Sequence, residues 1–285
     1  MPKRGLVLEG GAMKGLFTCG VLDVFMENGI TFDGAVGVSA GAVFGCNYKS
    51  GQIGRPIRYN KKYCKNKEYA SLSNVLKTGD MYGVDFCYRK LPFELDIWDD
   101  EAFRNNEMKF YSVSTDLETG KANYHLCNKG KDEDLEWFRA SASVPLVSNI
   151  VNIDGGKYLD GGIADSIPLK FFEHLKYERI VVITTKPIDY RKKKSVIMNF
   201  LSAVVYRKYP EFVKAMCNRY LRYNKTVEYI LDKERKGDIF VIRPPEKLKV
   251  KGYMNDPEDL EYIYQLGRKE GENRLEKMKE FLELS

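Results

Sequence analysis

The 285-residue sequence holds only two histidines and two tryptophans. A Ser-His-Asp arrangement therefore has just His125 and His174 to draw on. His125 sits in the strand-like "ANYHLC" and His174 in the helical "LKFFEHLKY", neither at a strand end or glycine turn, so both read as structural or surface residues. Six cysteines (Cys19, Cys46, Cys64, Cys87, Cys127 and Cys217) are scattered without a CxxC pair. That spacing excludes a disulfide framework and a thiolate zinc site, and it suits reduced thiols in the cytosol. No apolar run approaches the roughly 18 residues of a membrane span. The start "MPKRGLVLEGG" enters a strand with no apolar leader, so a cytoplasmic chain is expected. There is no internal repeat, low-complexity segment or obvious linker, and the length fits one large domain or two small ones.

What is present is ordinary globular composition, 44% apolar and 30% charged, with a modest net charge of +6. Apolar, β-branched runs recur at "RGLVLE", "FDGAVGVS", "MKFYSVSTDL", "ANYHLC", "ERIVVITTK" and "DIFVIRP". Helical spacing lies between several of them, over Leu16 to Asn28, Ala40 to Tyr48 and Asp132 to Ser141. Strands alternating with helices predict an α/β fold with a mainly parallel sheet covered on both faces. The tail from Pro257 to Leu284 predicts a long charged helix capped at Asp256. Residues 195–236 predict a helical insertion or lid, with Pro210 separating two helices.

The sharpest local signal is "GVSAG", Gly37 to Gly41, between an apolar run and a helix-prone one. A serine on a tight strand-to-helix turn has its hydroxyl exposed, and the flanking glycines remove Cβ atoms that would block turn and substrate. The hydroxyl needs a base, and a carboxylate can serve in place of imidazole. In "GKYLDGGIADSIPL", Asp160 follows a short strand and precedes Gly161 and Gly162. Asp154 also precedes two glycines, but "NIDGGKY" reads as a hairpin turn, so Asp160 is preferred. The early stretch "EGGAMKG" (Glu9 to Gly15) fails the P-loop rule because Leu16 follows Gly15, and it misses the dinucleotide fingerprint at Ala12. Its backbone N–H groups suit another anion, the oxyanion of a tetrahedral acyl intermediate. Lys14 either orients that loop and adds positive charge, or is simply solvated at a helix start.

The four segments "EGGAMKG", "GVSAG", "ASASVP" (Ala140 to Pro145) and "LDGGIADSIP" together resemble the patatin-like phospholipases, in that family's order and over residues 5–172. The resemblance implies a three-layer α/β/α patatin-like sandwich with a mainly parallel central sheet. Residues 5–172 would be the catalytic domain. Residues 173–285 would complete the sheet and add a C-terminal helical extension. It further implies a lipid acyl hydrolase, a phospholipase A or lysophospholipase-like esterase, with a Ser39–Asp160 dyad and no histidine. The amides of Gly10, Gly11, Ala12, Met13 and Lys14 would form the oxyanion hole, supported by Gly15, Gly37, Gly41, Gly161 and Gly162. Ala12 departs from the family's usual third glycine, and the hole stays usable provided its φ is negative. "ADSIP" departs from the asparagines of plant members. No metal and no cofactor are expected, and no EF-hand-like series of ligands is present.

The segment "SVIMNFLSAVVYRKYPEFVKAMCNRYLRYNK" mixes apolar stripes with Arg207, Lys208, Lys214, Arg219 and Arg222. It suits a helix resting on an anionic bilayer, or an ordinary helix pair whose stripes pack on the core, and the second is the expectation. The partners expected are thus a lipid or acyl-ester substrate and, as the alternative, peripheral contact with an anionic membrane, with no nucleic acid. Two further readings stay open: a small-acyl esterase or thioesterase using the same dyad, and a non-catalytic scaffold that binds lipid or protein.

Overall fold

A computed structural model describes residues 2–250 and 256–284. The range 173–285 expected to complete the sheet thus includes 251–255 and 285, which lie outside the described residues. Eight strands form one sheet: β1 (Arg4–Leu8), β2 (Gly34–Val38), β3 (Lys109–Asp116), β4 (Ala122–Cys127), β5 (Val151–Ile153), β6 (Gly156–Asp160), β7 (Arg179–Ile183) and β8 (Ile239–Ile242). The order is β5-β6-β3-β2-β1-β7-β8, with β4 also paired to β3. The pairs β3–β2, β2–β1, β1–β7 and β7–β8 are parallel. The β5, β6 and β4 edge is antiparallel.

The sheet is parallel at its centre because its strands are apolar on both faces, and helices cover both. Along β1, Leu6 and Leu8 enter one core, whereas Val7 enters the other. In chain order the helices are α1 (Gly15–Glu27), α2 (Ala40–Lys49), α3 (Arg55–Tyr63), α4 (Leu72–Thr78), α5 (Asp100–Asn105), α6 (Lys131–Ala142), α7 (Leu169–His174), α8 (Val196–Val205), α9 (Pro210–Arg235) and α10 (Pro257–Leu282). Phe17 of α1, Phe44 of α2, Phe138 of α6 and Ile263 of α10 line the first core. Phe172 of α7 with Tyr223 and Ile230 of α9 line the second. The result is three layers, α/β/α.

The predicted strands and the helices α1, α2 and α6 stand within two residues of where periodicity puts them, except that β7 ends at Ile183, three residues short of the apolar run's Lys186. Asp256 does precede Pro257 at the start of α10, but its side chain caps nothing and instead pairs with Lys65 at 2.8 Å. Pro210 opens α9, as its missing N–H allows. The stretch 51–107 received no assignment from the sequence. It holds α3 to α5 and a wide helix over Phe86–Leu95 with i→i+5 bonds, closed by Asp96 N–H donating to the Leu91 carbonyl at 2.9 Å.

One expectation is corrected. The stripes of α8 do not pack on the core. Val196 and Ile197 are 72% and 73% exposed and Phe200 67%, and the only buried residue of this helix is Ser202. The cause is position: α8 projects from the segment after β7 and reaches the body only through its C-terminal end, where Tyr206 joins a small cluster with Phe212, Leu159 and Leu117. Its partner α9 does pack, burying Phe212, Ala215, Tyr223 and Ile230.

Candidate active site

Ser39 stands between the end of β2 and the first residue of α2, with φ 54° and ψ −121°. A non-glycine residue in that region is strained, and the strain holds the side chain above the sheet. The turn closes only because its neighbours lack side chains: a Cβ on Gly37 would sit 2.3 Å from the Gly41 carbonyl oxygen. The Ser39 N–H donates to Ser141 Oγ at 2.8 Å, and that hydroxyl donates to the Val113 carbonyl at 2.5 Å.

Asp160 ends β6 beside Ser114 of β3 and is buried. Its N–H donates to the Ser143 carbonyl at 2.8 Å, and its own carbonyl accepts from Thr115 Oγ1 at 2.8 Å. Its Oδ1 accepts the Gly162 N–H at 2.7 Å. The Ser39 side chain is close enough to this carboxylate to act on its pKa. Burial pushes the Asp160 pKa above the ordinary aspartate value. Arg219, Ser39, the Gly162 N–H and Lys192 pull partly the other way.

The "ASASVP" segment is the bracket that joins the two. Ser141 grips the backbone of Ser39 and the Ser143 carbonyl grips that of Asp160. The sequence supplied the motif but not these roles, because a small-residue turn carries no signal for what it will touch.

The competing residues stand elsewhere. Asp154 is exposed in the turn between β5 and β6, with φ 49°, at the opposite end of β6 from Asp160. His125 lies on β4 with its ring stacked on Trp137 at 4.1 Å, and burial lowers its pKa. His174 is exposed at the end of α7.

The early loop crosses the end of β1 next to the serine turn: a Cβ on Gly10 would lie 2.9 Å from Ser39 Cβ. The N–H groups of Gly11 and Ala12 meet no acceptor among the described residues, whereas that of Lys14 donates to the Gly11 carbonyl at 3.1 Å. The condition set on Ala12 is not met, since its φ is +48°. An L-residue reaches that region at a cost of about 1 kcal/mol, and the fixed turn around it holds it there. Lys14 is partly exposed, with its pKa lowered by burial and by Lys186.

An apolar pocket has Ala12, Met13 and Ser39 in its wall, with Tyr69, Leu91 and Phe138 among the rest. Elsewhere, His125, Cys127 and Asp134 bring ligand-type atoms within 4.8 Å of one another. Asp134 Oδ1 has no partner, but its Oδ2 accepts from the N–H of Lys129 and Gly130 at 2.8 and 2.6 Å. The Lys49 ammonium acts on both Cys127 and Asp134, which sets a cation beside the place a metal would take.

A family profile described as "Patatin-like phospholipase" matches residues 6–172, more than half the chain. The chain belongs to the patatin-like phospholipase family. A second profile, a domain of unknown function (DUF6363), matches residues 209–283. The patatin-like chain is similar to the uncharacterized protein YjjU of Escherichia coli K12, at 32% identity over 64% of this chain and 52% of that protein. It is also similar to lysophospholipase nte1 of Aspergillus niger, at 25% identity over 96% of this chain but 18% of that protein, and to an uncharacterized NTE family protein of Mycobacterium bovis, at 26% over 59% and 45%. It thus spans about half or less of these relatives. Among solved structures, VipD of Legionella pneumophila covers 98% of this chain at 13% identity and a TM-score of 0.47.

Proposed function

We propose that this chain is a lipid acyl hydrolase in which Ser39 is the nucleophile and Asp160 the base. The observation that carries the reading is the pairing of a strained Ser39 with a buried carboxylate close enough for each to act on the other, a carboxylate that forms no ion pair among the described residues. As Ser39 Oγ bonds to the ester carbonyl carbon, its proton passes to Asp160. The oxyanion faces the free amides of Gly11 and Ala12, with Gly10 and Met13 completing the loop. Collapse expels the alcohol, which takes the proton from Asp160. A water then attacks the acyl-enzyme, its proton goes to Asp160 and on to Ser39, and the fatty acid leaves. Burial makes Asp160 a stronger base than a solvated aspartate. No metal or cofactor enters this scheme.

The apolar pocket beside Ser39 favours a fatty-acyl chain over the small-acyl alternative. Residues 5–172 would hold the catalytic machinery, and 173–285 would complete the sheet through β7 and β8 and add α8 to α10. The exposed apolar face of α8, between Lys192 to Lys194 and Arg207 with Lys208, suits contact with an anionic bilayer. This helix ends next to the pocket: Leu146 N–H donates to Tyr206 Oη at 2.9 Å, two residues from Val144 in the pocket wall. No helix among the described residues is long and apolar enough to cross a membrane, and the six unpaired cysteines suit a reducing compartment.

The test is hydrolysis of p-nitrophenyl esters from acetate to palmitate by the wild type and by Ser39→Ala, Asp160→Asn, Asp154→Asn, His125→Gln and His174→Gln. The expected result is a fall of about 10³-fold or more in kcat for the first two alone, with rates rising towards longer chains. Retained activity without Ser39, or loss on removing either histidine, would break the assignment, and inactivity towards every ester would favour the scaffold reading.

A further inference from the structure

Four cations gather near the dyad without lining the apolar pocket: Lys14 of the early loop, Lys186 and Lys192 of the segment after β7, and Arg219 of α9, each close enough to act on another of the four and two of them on Asp160. None of Lys186, Lys192 or Arg219 lines the pocket, and none of the four belongs to an ion pair among the described residues. Each is partly buried, so each keeps a face that a ligand can reach.

Their side chains are held in place. Arg219 Nε donates to the Gly162 carbonyl at 2.6 Å, and a Cβ on Gly162 would lie 2.9 Å from Asp160 Oδ1 and 3.1 Å from an Arg219 amino nitrogen. The guanidinium and the Asp160 carboxylate therefore flank the same turn. Lys186 Nζ donates to Thr185 Oγ1 at 3.0 Å, and that hydroxyl donates to the Gly10 carbonyl at 2.9 Å at the root of the early loop. Asn224 pins Lys192 by both backbone groups, at 2.8 and 3.0 Å, and the ammonium lies 5.1 Å from the centre of the Tyr223 ring.

Two carboxylates face this group, Glu9 and Asp160, and neither is free to neutralise it. Glu9 is buried, with Oε2 accepting from Thr185 N–H at 2.6 Å and Oε1 accepting from Tyr223 at 2.8 Å. Asp160 is held by the Gly162 N–H and by Thr115 and Ser143 at its backbone. The cations outnumber the two carboxylates, and Lys247 adds a further positive charge near Lys14, so the cleft is left positive. Burial, reinforced by Arg219 and Lys186, lowers the Lys192 pKa to about 8, the mark of an ammonium crowded by like charge. Partly desolvated cations without counter-ions are costly unless an anion enters.

We infer that Lys14, Lys186, Lys192 and Arg219 form a binding site for a phosphate group esterified to the substrate, outside the apolar pocket. The inference rests on the acyl-hydrolase reading and adds a division of labour to it: the apolar pocket takes the acyl chain and the cations take the phosphate. Arginine offers the fork that matches phosphate oxygens, and the lysines add point charge. Lys186, Lys192 and Arg219 lie beyond the stretch matched by the family profile, so the C-terminal part of the chain would select the head group.

The experiment compares kcat/KM for an oleoyl lysophosphatidic acid with that for mono-oleoylglycerol, in the wild type, Lys192→Gln, Lys186→Gln, Arg219→Lys and the remote Lys236→Gln. In parallel, sn-glycerol 3-phosphate and inorganic phosphate are titrated into the wild type and Lys192→Gln by calorimetry, which needs no turnover. The expected result is a phosphate-to-neutral ratio well above one, falling at least tenfold in the two glutamine variants, less in Arg219→Lys and not in Lys236→Gln. Glycerol 3-phosphate should bind the wild type and lose affinity in Lys192→Gln. An active esterase with a ratio near one and no glycerol 3-phosphate binding would overturn the inference and leave the hydrolase reading standing. Glycerol 3-phosphate binding by a chain inactive on every ester would uphold the phosphate site but overturn the hydrolase reading, and with it the substrate role of that site. Inorganic phosphate binding as tightly as glycerol 3-phosphate, with no effect on the ratio, would make this a free-phosphate site and refute the substrate role.

Discussion

In the proposed reaction Asp160 must be ionised to take the Ser39 proton, and burial holds its pKa above the usual 3.8. The sign follows directly. As pH falls through the raised value the carboxylate gains a proton and the base is lost, so kcat/KM for a neutral ester should decline on the acid side with a midpoint above the ordinary aspartate range. A midpoint at or below about 4 would show that another group limits the reaction. Ala12 carries a different strain. Its φ of +48° suits glycine, so Ala12→Gly should raise stability by about 1 kcal/mol in urea unfolding and leave the loop able to bind an oxyanion; a loss of stability would mean the alanine methyl packs usefully. Ser39 and Asp160 were legible in the sequence because their demands are local: each sits at a strand end followed by glycines whose missing Cβ atoms the turn requires. Lys186, Lys192 and Arg219 were not. A lysine after a strand or an arginine in a helix looks the same whether it faces water or a reacting centre, and only the packing of α9 against the loop after β6 separates the two.

At the scale of elements, α8 is the outlier. Seven of its ten residues are large, apolar and exposed, between basic segments at both ends. Ile197→Glu with Phe200→Glu should reduce sedimentation with vesicles containing phosphatidylglycerol severalfold, and wild-type binding should weaken as salt rises; equal binding by the variant would show that α8 stays off the bilayer. Periodicity cannot foretell this, since an apolar stripe reads alike whether a core or a lipid covers it. The long helices and the central strands were legible from their patterns, and α10 from its Asp-Pro start. Between residues 51 and 107 the elements are short, and the wide helix over Phe86–Leu95 includes Pro92, so no single period runs long enough to register. That opaque stretch supplies Tyr69 and Leu91 to the pocket wall, which is why the pocket itself had no sequence signature.

On the scale of the whole molecule, the proposed nucleophile and base come from different parts of the sheet. Ser39 follows a parallel strand at its centre, Asp160 ends an antiparallel strand near its edge, and the end of α6 ties the two backbones together. Reactivity is therefore a stopwatch on assembly. The helices can form while the chain is still inert, because the carboxylate meets the serine only when β6 has paired with β3, the central strands have joined across separations as long as Gly5 to Ile180, and the serine bracket has locked. After dilution from denaturant, ester hydrolysis should return more slowly than helical circular dichroism. Simultaneous recovery would mean that helices and sheet condense in one step.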